Sequence, residues 1–458
     1  MLLACMVLDV AHALGAPRSV LLVSGTLAVL SVALMAPSVG WGRRIFPAVA
    51  AALALIALAT RADAGTILAA GLASSAFIAA FFTAQAMLRA VASRSDAMAA
   101  CGRYIAARPP GQRYAALTLG GQGFGIILGY GAISLLGGLA ERSAAEEPDP
   151  RRARIRLRRM LLAIQRGFIS TLPWSPLAFA TAIVSQVIPG ARWADTVLPC
   201  AATGLVLAGT GWVLDTVLKP RLAPAATPAP SVGGAWHREL GPILALLAVT
   251  VGGVGGTAWA LDIRVMHAVM IAVPVIALGW AALQLGGPGV AHCTVVRGTA
   301  ARARDYLVRE LPGYRGELVL LIMAGFIGAL GGRLAAPWMA ASGLDLAALP
   351  QWGAILLLFW AVPIAGQIGM NPILSVTLLA PLLPSPEAMG LSPTAVVVAI
   401  TGGWALSGAN SPFTATTLLI ARQGKVGALH VGHVWNGLYV ALAGAVLTGC
   451  SFAVAALL

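Results

Sequence analysis

The chain has 458 residues, 59% of them hydrophobic and only 10% charged, with a mean hydropathy of +0.86. A water-soluble domain of this length could not bury so much apolar surface, and the apolar runs are continuous rather than alternating, which excludes a β-barrel and leaves an all-α polytopic membrane protein. The formal net charge of +14 is no sign of nucleic acid, because Lys and Arg collect on the cytoplasmic face of membrane proteins.

Residues 1–17 lack the basic n-region of a cleaved signal peptide. Apolar segments are expected at 19–38, 45–60, 65–90, 114–139, 168–188 and 195–217. A Pro/Ala-rich polar linker runs from Lys219 to Arg238. Further segments follow at 240–261, 264–285, 316–340, 351–386, 392–421 and 432–456. The chain thus divides into an N-terminal half (1–217), a cytoplasmic linker (218–239) and a C-terminal half (240–458). Five cysteines, Cys5, Cys101, Cys200, Cys293 and Cys450, show no CxxC spacing and suggest neither a metal nor a disulfide framework.

Charge sets the sidedness. Connections at 41–44, 92–113, 140–167, 218–238, 286–315 and 421–431 carry the basic residues, with eight arginines in 140–167 alone. The other connections hold only Arg61, Arg192 and Arg264. The positive-inside rule places the first group in the cytoplasm. Segment 114–139 then enters and leaves on the inside, and segment 351–386 enters and leaves on the outside. Two opposed re-entrant hairpins result, alongside about ten transmembrane helices, in an inverted repeat of two halves.

Motifs agree with that division. The first hairpin contains Gly121-Gln122-Gly123, and the second contains Gly366-Gln367 and Gly369-Met370-Asn371-Pro372. After each hairpin comes a segment with a polar break. Thr171–Val184 lies over Ser407–Ile420, so that Ser175-Pro176 falls on Ser411-Pro412 and Thr181 on Thr417. Proline gives no amide hydrogen to a helix, and freed backbone groups at membrane depth need protein, water or a ligand as partner. A broken helix offers a positive N-terminus to an anion and free carbonyls to a cation.

The expected substrate-binding residues are therefore Gln122 and Gly123 at the first tip and Gln367, Asn371, Ser375 and Thr377 at the second. Ser175 and Thr181 join them from the first break, and Asn410, Ser411, Thr414 and Thr416 from the second. Sodium could be held at Gly123, Asn371 and Gly408. Each Ser or Thr also has a plainer role, bonding back to its own helix or joining two helices. Trp174 either stacks on solute or packs.

Buried acids look absent, which disfavours a proton relay, and Asp215, Arg333, His267, His433 and Asn436 read as boundary or packing residues. The basic, apolar-interleaved stretch Arg151–Arg166 is expected to lie along the inner leaflet. No Walker A sequence, metal-ligand cluster or nucleophile constellation is present, so the chain is expected to be no enzyme and to carry no cofactor.

Opposed hairpins, each followed by a broken helix, resemble the ion transporter superfamily. That group contains divalent anion/sodium symporters, citrate–metal symporters, arsenite exporters and the large membrane subunits of tripartite periplasmic transporters. The resemblance covers residues 19–456 through architecture. The divalent-anion branch carries Ser-Asn-Thr at each tip, where this chain has Gly121-Gln122-Gly123 and Met370-Asn371-Pro372. What it implies is a multi-pass secondary transporter of the cell inner membrane, a homodimer surrounded by lipid, moving a small anion such as an organic acid by an elevator-like mechanism coupled to Na+ or H+. Two alternatives stay open: an anion exporter or ion antiporter, and a non-transporting subunit that anchors a partner through Arg151–Arg159.

Overall fold

A computed structural model of the protein describes residues 1–220, 236–286, 290–343 and 346–457. Most of the expected linker, 218–239, lies outside the described residues, as does Asp345, with which the sequence position of Arg333 would allow a pair. Every regular element among the described residues is helical. The first half contains α1 (Leu2–Ala13), α2 (Arg18–Met35), α3 (Trp41–Thr60), α4 (Ala64–Ser93), α5 (Asp96–Ala106), α6 (Pro110–Leu128), α7 (Gly131–Ala145), α8 (Pro150–Ile169), α9 (Phe179–Val187) and α10 (Trp193–Val217). The second contains α11 (Trp236–Leu261), α12 (Val265–Leu285), α13 (His292–Asp305), the single turn α14 (Leu311–Gly313), α15 (Arg315–Ala341), α16 (Gln351–Gln367), α17 (Pro372–Leu379), α18 (Pro393–Asn410), α19 (Ala415–Gly424) and α20 (Gly437–Leu457).

Local chemistry sets the ends. Proline stands at the start of α6, α8, α17 and α18, where a missing amide hydrogen costs nothing. Asp149, Asn371 and Ser392 cap α8, α17 and α18 by accepting backbone hydrogen bonds from the first turn. Among the described residues, eight helices are long and apolar enough to cross a membrane.

Burial identifies the centre. The apolar windows of α4 and α15 are 67% buried, against 11–39% for the other six long spans. These two therefore pack on each other in the middle, while the others keep one face for lipid. Small residues permit the approach: a Cβ on Gly71 would lie 2.2 Å from Leu330 Cδ1, and one on Gly325 would lie 2.2 Å from Ile78 Cδ1. Helices α1, α2 and α12 pack around α4, and α3 packs on α15.

The two halves repeat one packing scheme. The first hairpin arm lies on the helix that precedes the break, α6 on α8 and α16 on α18. Glycines make both contacts close. A Cβ on Gly167 would stand 2.2 Å from the Thr118 carbonyl oxygen, and one on Gly403 1.9 Å from that of Phe359. The short helix after each break packs on the second hairpin arm of the other half, α9 on α17 and α19 on α7. In the first half the long helix before the break comes from the basic side, and in the second it comes from the charge-poor side.

Four expectations need correction. Helix α1 escaped notice because its 12 residues are too few to span a bilayer. The stretch Arg151–Arg166 does not lie wholly on a surface: α8 is continuous, and Met160 to Ile169 are all buried. The 26 residues of 114–139 leave room only for short arms in the first hairpin, yet its arms have 19 and 15 residues because they run beyond that apolar core. The hairpin register also differs. Gly125, not Gly121, occupies the place of Gly366, one helical turn on. Gly125 packs on Phe168 at the end of α8, and Gly366 on Ser407 and Ser411 at the end of α18. The turns are then at Gly129, with φ of 54°, and Gly369, with φ of 87°, conformations that glycine adopts without strain.

Candidate functional site

The two breaks share one hydrogen-bond pattern. In each, the serine before proline turns its Oγ back to accept from the amide two residues on, Ser175 from Leu177 at 3.3 Å and Ser411 from Phe413 at 3.2 Å. In each, a threonine reaches back to a carbonyl that the break has freed. Thr181 Oγ1 donates to Leu172 O at 2.9 Å, and Thr417 Oγ1 to Gly408 O at 3.3 Å, both nine residues away. Buried backbone carbonyls left unpaired are costly, and this device pairs them at equivalent points. The breaks also meet: a Cβ on Gly408 would touch Ile169 and Leu172.

A buried polar network fixes the second break from beneath. Gln165 Nε2 donates to Gly408 O at 3.2 Å, and Asn436 Nδ2 donates to Gln165 Oε1 at 3.0 Å and to Val431 O at 3.2 Å. Arg166 Nε donates to Asn436 Oδ1 at 3.2 Å, its Nη1 to the Tyr114 hydroxyl at 3.2 Å, and its guanidinium lies 4.4 Å from the Tyr439 ring centroid. Gln165 and Asn436 are fully buried and Arg166 nearly so. Asn436 follows a π-helical turn, His430–Trp435. Such wide turns are frequent at functional sites. Asn436→Leu leaves Arg166 Nε and Gln165 Oε1 without their partner together. A loss on the order of 3 kcal/mol is expected, seen as a lower melting temperature of the purified protein; an unchanged value would contradict the network.

The expected site residues now separate. Ser175, Thr181, Ser411 and Thr416 are buried and spent on backbone. Ser411 Oγ donates to Gly366 O at 2.6 Å, which pins the second hairpin to the second break. Ser375 and Thr377 bond back to their own helix, at Asn371 O and at Ile373 O, and Thr377 Oγ1 also lies 3.3 Å from Ala324 O of α15, beside the central pair. Gln122 lies within α6, not at a tip, and donates to Ser170 Oγ at 2.8 Å. Gly123 faces Ile243 and Leu247 of α11.

What remains half-buried around the second break is Gln367, Asn371, Asn410 and Thr414. The second tip, the second break and the π-helical turn converge there. Gln367 Oε1 lies 3.0 Å from His433 Nε2, and a Cβ on Gly432 would lie 2.3 Å from Asn410 O. Asn371 caps α17 through Ile373 N at 2.8 Å, and Thr414 donates to Ser411 O at 3.0 Å. The Asn410 side chain alone in this group has no hydrogen bond to protein among the described residues. Helices α9 and α19 start without a side-chain cap, which leaves leading amides free for an anion.

At two of the three expected sodium positions the backbone carbonyl is already used, while Asn371 Oδ1 accepts only from Ile373 N among the described residues. The Gly408 carbonyl has two lone pairs and already accepts from Gln165, Thr416 and Thr417. The Asn371 carbonyl accepts from the Ser375 amide and hydroxyl. Gly123 stands against apolar side chains, as above. A buried acid does exist: Asp9 of α1, 2% exposed, has its Oδ2 3.7 Å from His267 Nε2. Sequence reading missed it together with α1. It missed Gln165 and Arg166 as well, although an arginine run that continues into an apolar stretch was the available signal.

No protein-family model and no curated protein matches the chain. Solved structures do. The YdaH transporter of Alcanivorax borkumensis, described as having an unusual topology, aligns with 91% of this chain and 98% of its own at a TM-score of 0.56 and 16% identity. MtrF of Neisseria gonorrhoeae, described as illuminating a class of antimetabolite efflux pumps, aligns with 92% of this chain and 96% of its own at a TM-score of 0.49 and 15% identity. The first likeness extends over nearly the full length of both chains, so the chain is a multi-pass, all-α membrane protein that shares its fold with a transporter.

Proposed function

We propose that the chain is a secondary active transporter of a small anionic solute in the cell inner membrane, working as a homodimer by an elevator-like motion as the ion transporter superfamily does. The observation that carries this reading is the pair of helix breaks, built with the same hydrogen bonds in two halves of opposite direction. A structural kink needs no such twin, whereas paired interrupted helices mark transporter sites. The solute would sit at the second break, against Asn410, Gln367 and His433. Uncapped helix starts at α9 and α19 and the cation of Arg166 beneath the break favour negative charge there. An anchoring role finds less support, because half of the basic helix is buried and Arg159 is held by Asp215 through two bonds of 2.6 and 2.7 Å.

The test is charge movement in proteoliposomes on a solid-supported membrane, with jumps of small carboxylates and inorganic oxyanions, with and without sodium and with and without a pH gradient. At least one anion should give a current that empty liposomes lack, and the arm that enlarges it names the coupling ion. Silence across the panel, together with no solute-dependent stabilisation, would overturn the reading.

A further inference from the structure

A cavity of about 530 Å³ opens between the central helices and the elements that carry the breaks. On one wall are Arg18 of α2, Ser74 of α4 and Arg333 of α15. On the other are Gln186 at the end of α9, Thr377 of α17 and Ser385 beyond it. It lies at the charge-poor ends of these helices, which the positive-inside rule places outside. Its floor is close-packed, since a Cβ on Gly328 would lie 1.8 Å from Thr377 Oγ1.

The two arginines are the only ionisable side chains among the described lining residues. Arg333 spends one N–H on Ala329 O of its own helix at 3.0 Å, and neither guanidinium has a carboxylate partner among the described residues. Two cations set into a concave wall of low polarisability focus a positive potential inside it and raise the local concentration of anions. Both arginines are exposed, so their charge is accessible to solutes that enter the crevice.

We propose that this crevice is an outward anion-collecting vestibule, in which Arg18 and Arg333 draw small carboxylates or oxyanions to the second hairpin. The proposal rests on the transport reading for its purpose, but its test needs no transport. Gln186→Cys is placed in a Cys293→Ser/Cys450→Ser background, the other native cysteines being buried; Ser385→Cys serves as a second reporter if the first does not fold. The purified protein is treated with sulfonatoethyl methanethiosulfonate, an anion, or trimethylammonioethyl methanethiosulfonate, a cation, and the two rates are compared. Their ratio should fall about fivefold or more in R18Q/R333Q, return in R18K/R333K, and shrink with added salt. An unchanged ratio in R18Q/R333Q, or a thiol that neither reagent reaches, overturns the proposal. A lipid phosphate competes for the same chemistry. If it is the true occupant, the anionic preference disappears in nanodiscs containing phosphatidylglycerol and returns in phosphatidylcholine alone, which also overturns it. A silent transport assay would leave this ratio measurable, so the two readings fail separately.

Discussion

Gly403→Ala and Gly167→Ala should each lower the melting temperature of the purified protein by several degrees, while Gly209→Ala should not. All three glycines lie inside helices, where alanine by itself is favoured by about 1 kcal/mol. At Gly209 a Cβ meets nothing within 4 Å, so that gain stands alone. At Gly403 and Gly167 the new carbon would overlap a backbone carbonyl oxygen, at 1.9 and 2.2 Å. A backbone oxygen cannot rotate away as a flexible side chain can, so the hairpin arm itself must shift. Overpacking of this kind costs about 1–3 kcal/mol, and occasionally more. Because these contacts are twins in the two halves, the variants should lose similar amounts. Opposite signs would break the equivalence of α6–α8 with α16–α18.

The second large effect separates two neighbours. Asn410→Leu is expected to abolish solute-dependent signals and leave the melting temperature of the empty protein nearly unchanged. Ser411→Ala is expected to do the reverse in part, lowering stability by about 1–3 kcal/mol. Asn410 is half-buried and its amide bonds to no protein group among the described residues, so its removal disturbs little of the fold. Ser411 is fully buried and connects Gly366 O to Phe413 N, so its removal leaves the Phe413 amide unpaired and loosens the hairpin tip. A destabilised N410L with intact transport would reverse these roles.

These residues show how far the sequence could lead. The long spans were legible because crossing a bilayer demands some twenty apolar residues, and the hairpins because basic loops on both sides of 114–139 leave no other path. The equivalence of Ser175 with Ser411 and of Thr181 with Thr417 is carried by one shared hydrogen bond in each pair. Hairpin register did not survive, since glycine recurs at Gly121, Gly123, Gly125 and Gly129 and dipeptide matching cannot choose among them. Nor could sequence distinguish Asn410 from Ser411, which depends on what each side chain meets. The Arg166–Asn436 contact joins residues 270 apart, and no local pattern announces it. Asp9 was missed for a different reason: its helix is too short to resemble a span.

The central claim is that the second break holds a small anion through Asn410. Thermal unfolding of the purified protein against a panel of small carboxylates and inorganic oxyanions, with and without sodium, tests it most directly. A ligand at a hundred times its Kd stabilises the folded state by about 2.7 kcal/mol, well within reach of the method. The account predicts that at least one anion raises the melting temperature of the native protein and does not raise that of N410L, although both unfold at similar temperatures when empty. An anion that stabilises N410L as much as the native protein would contradict it.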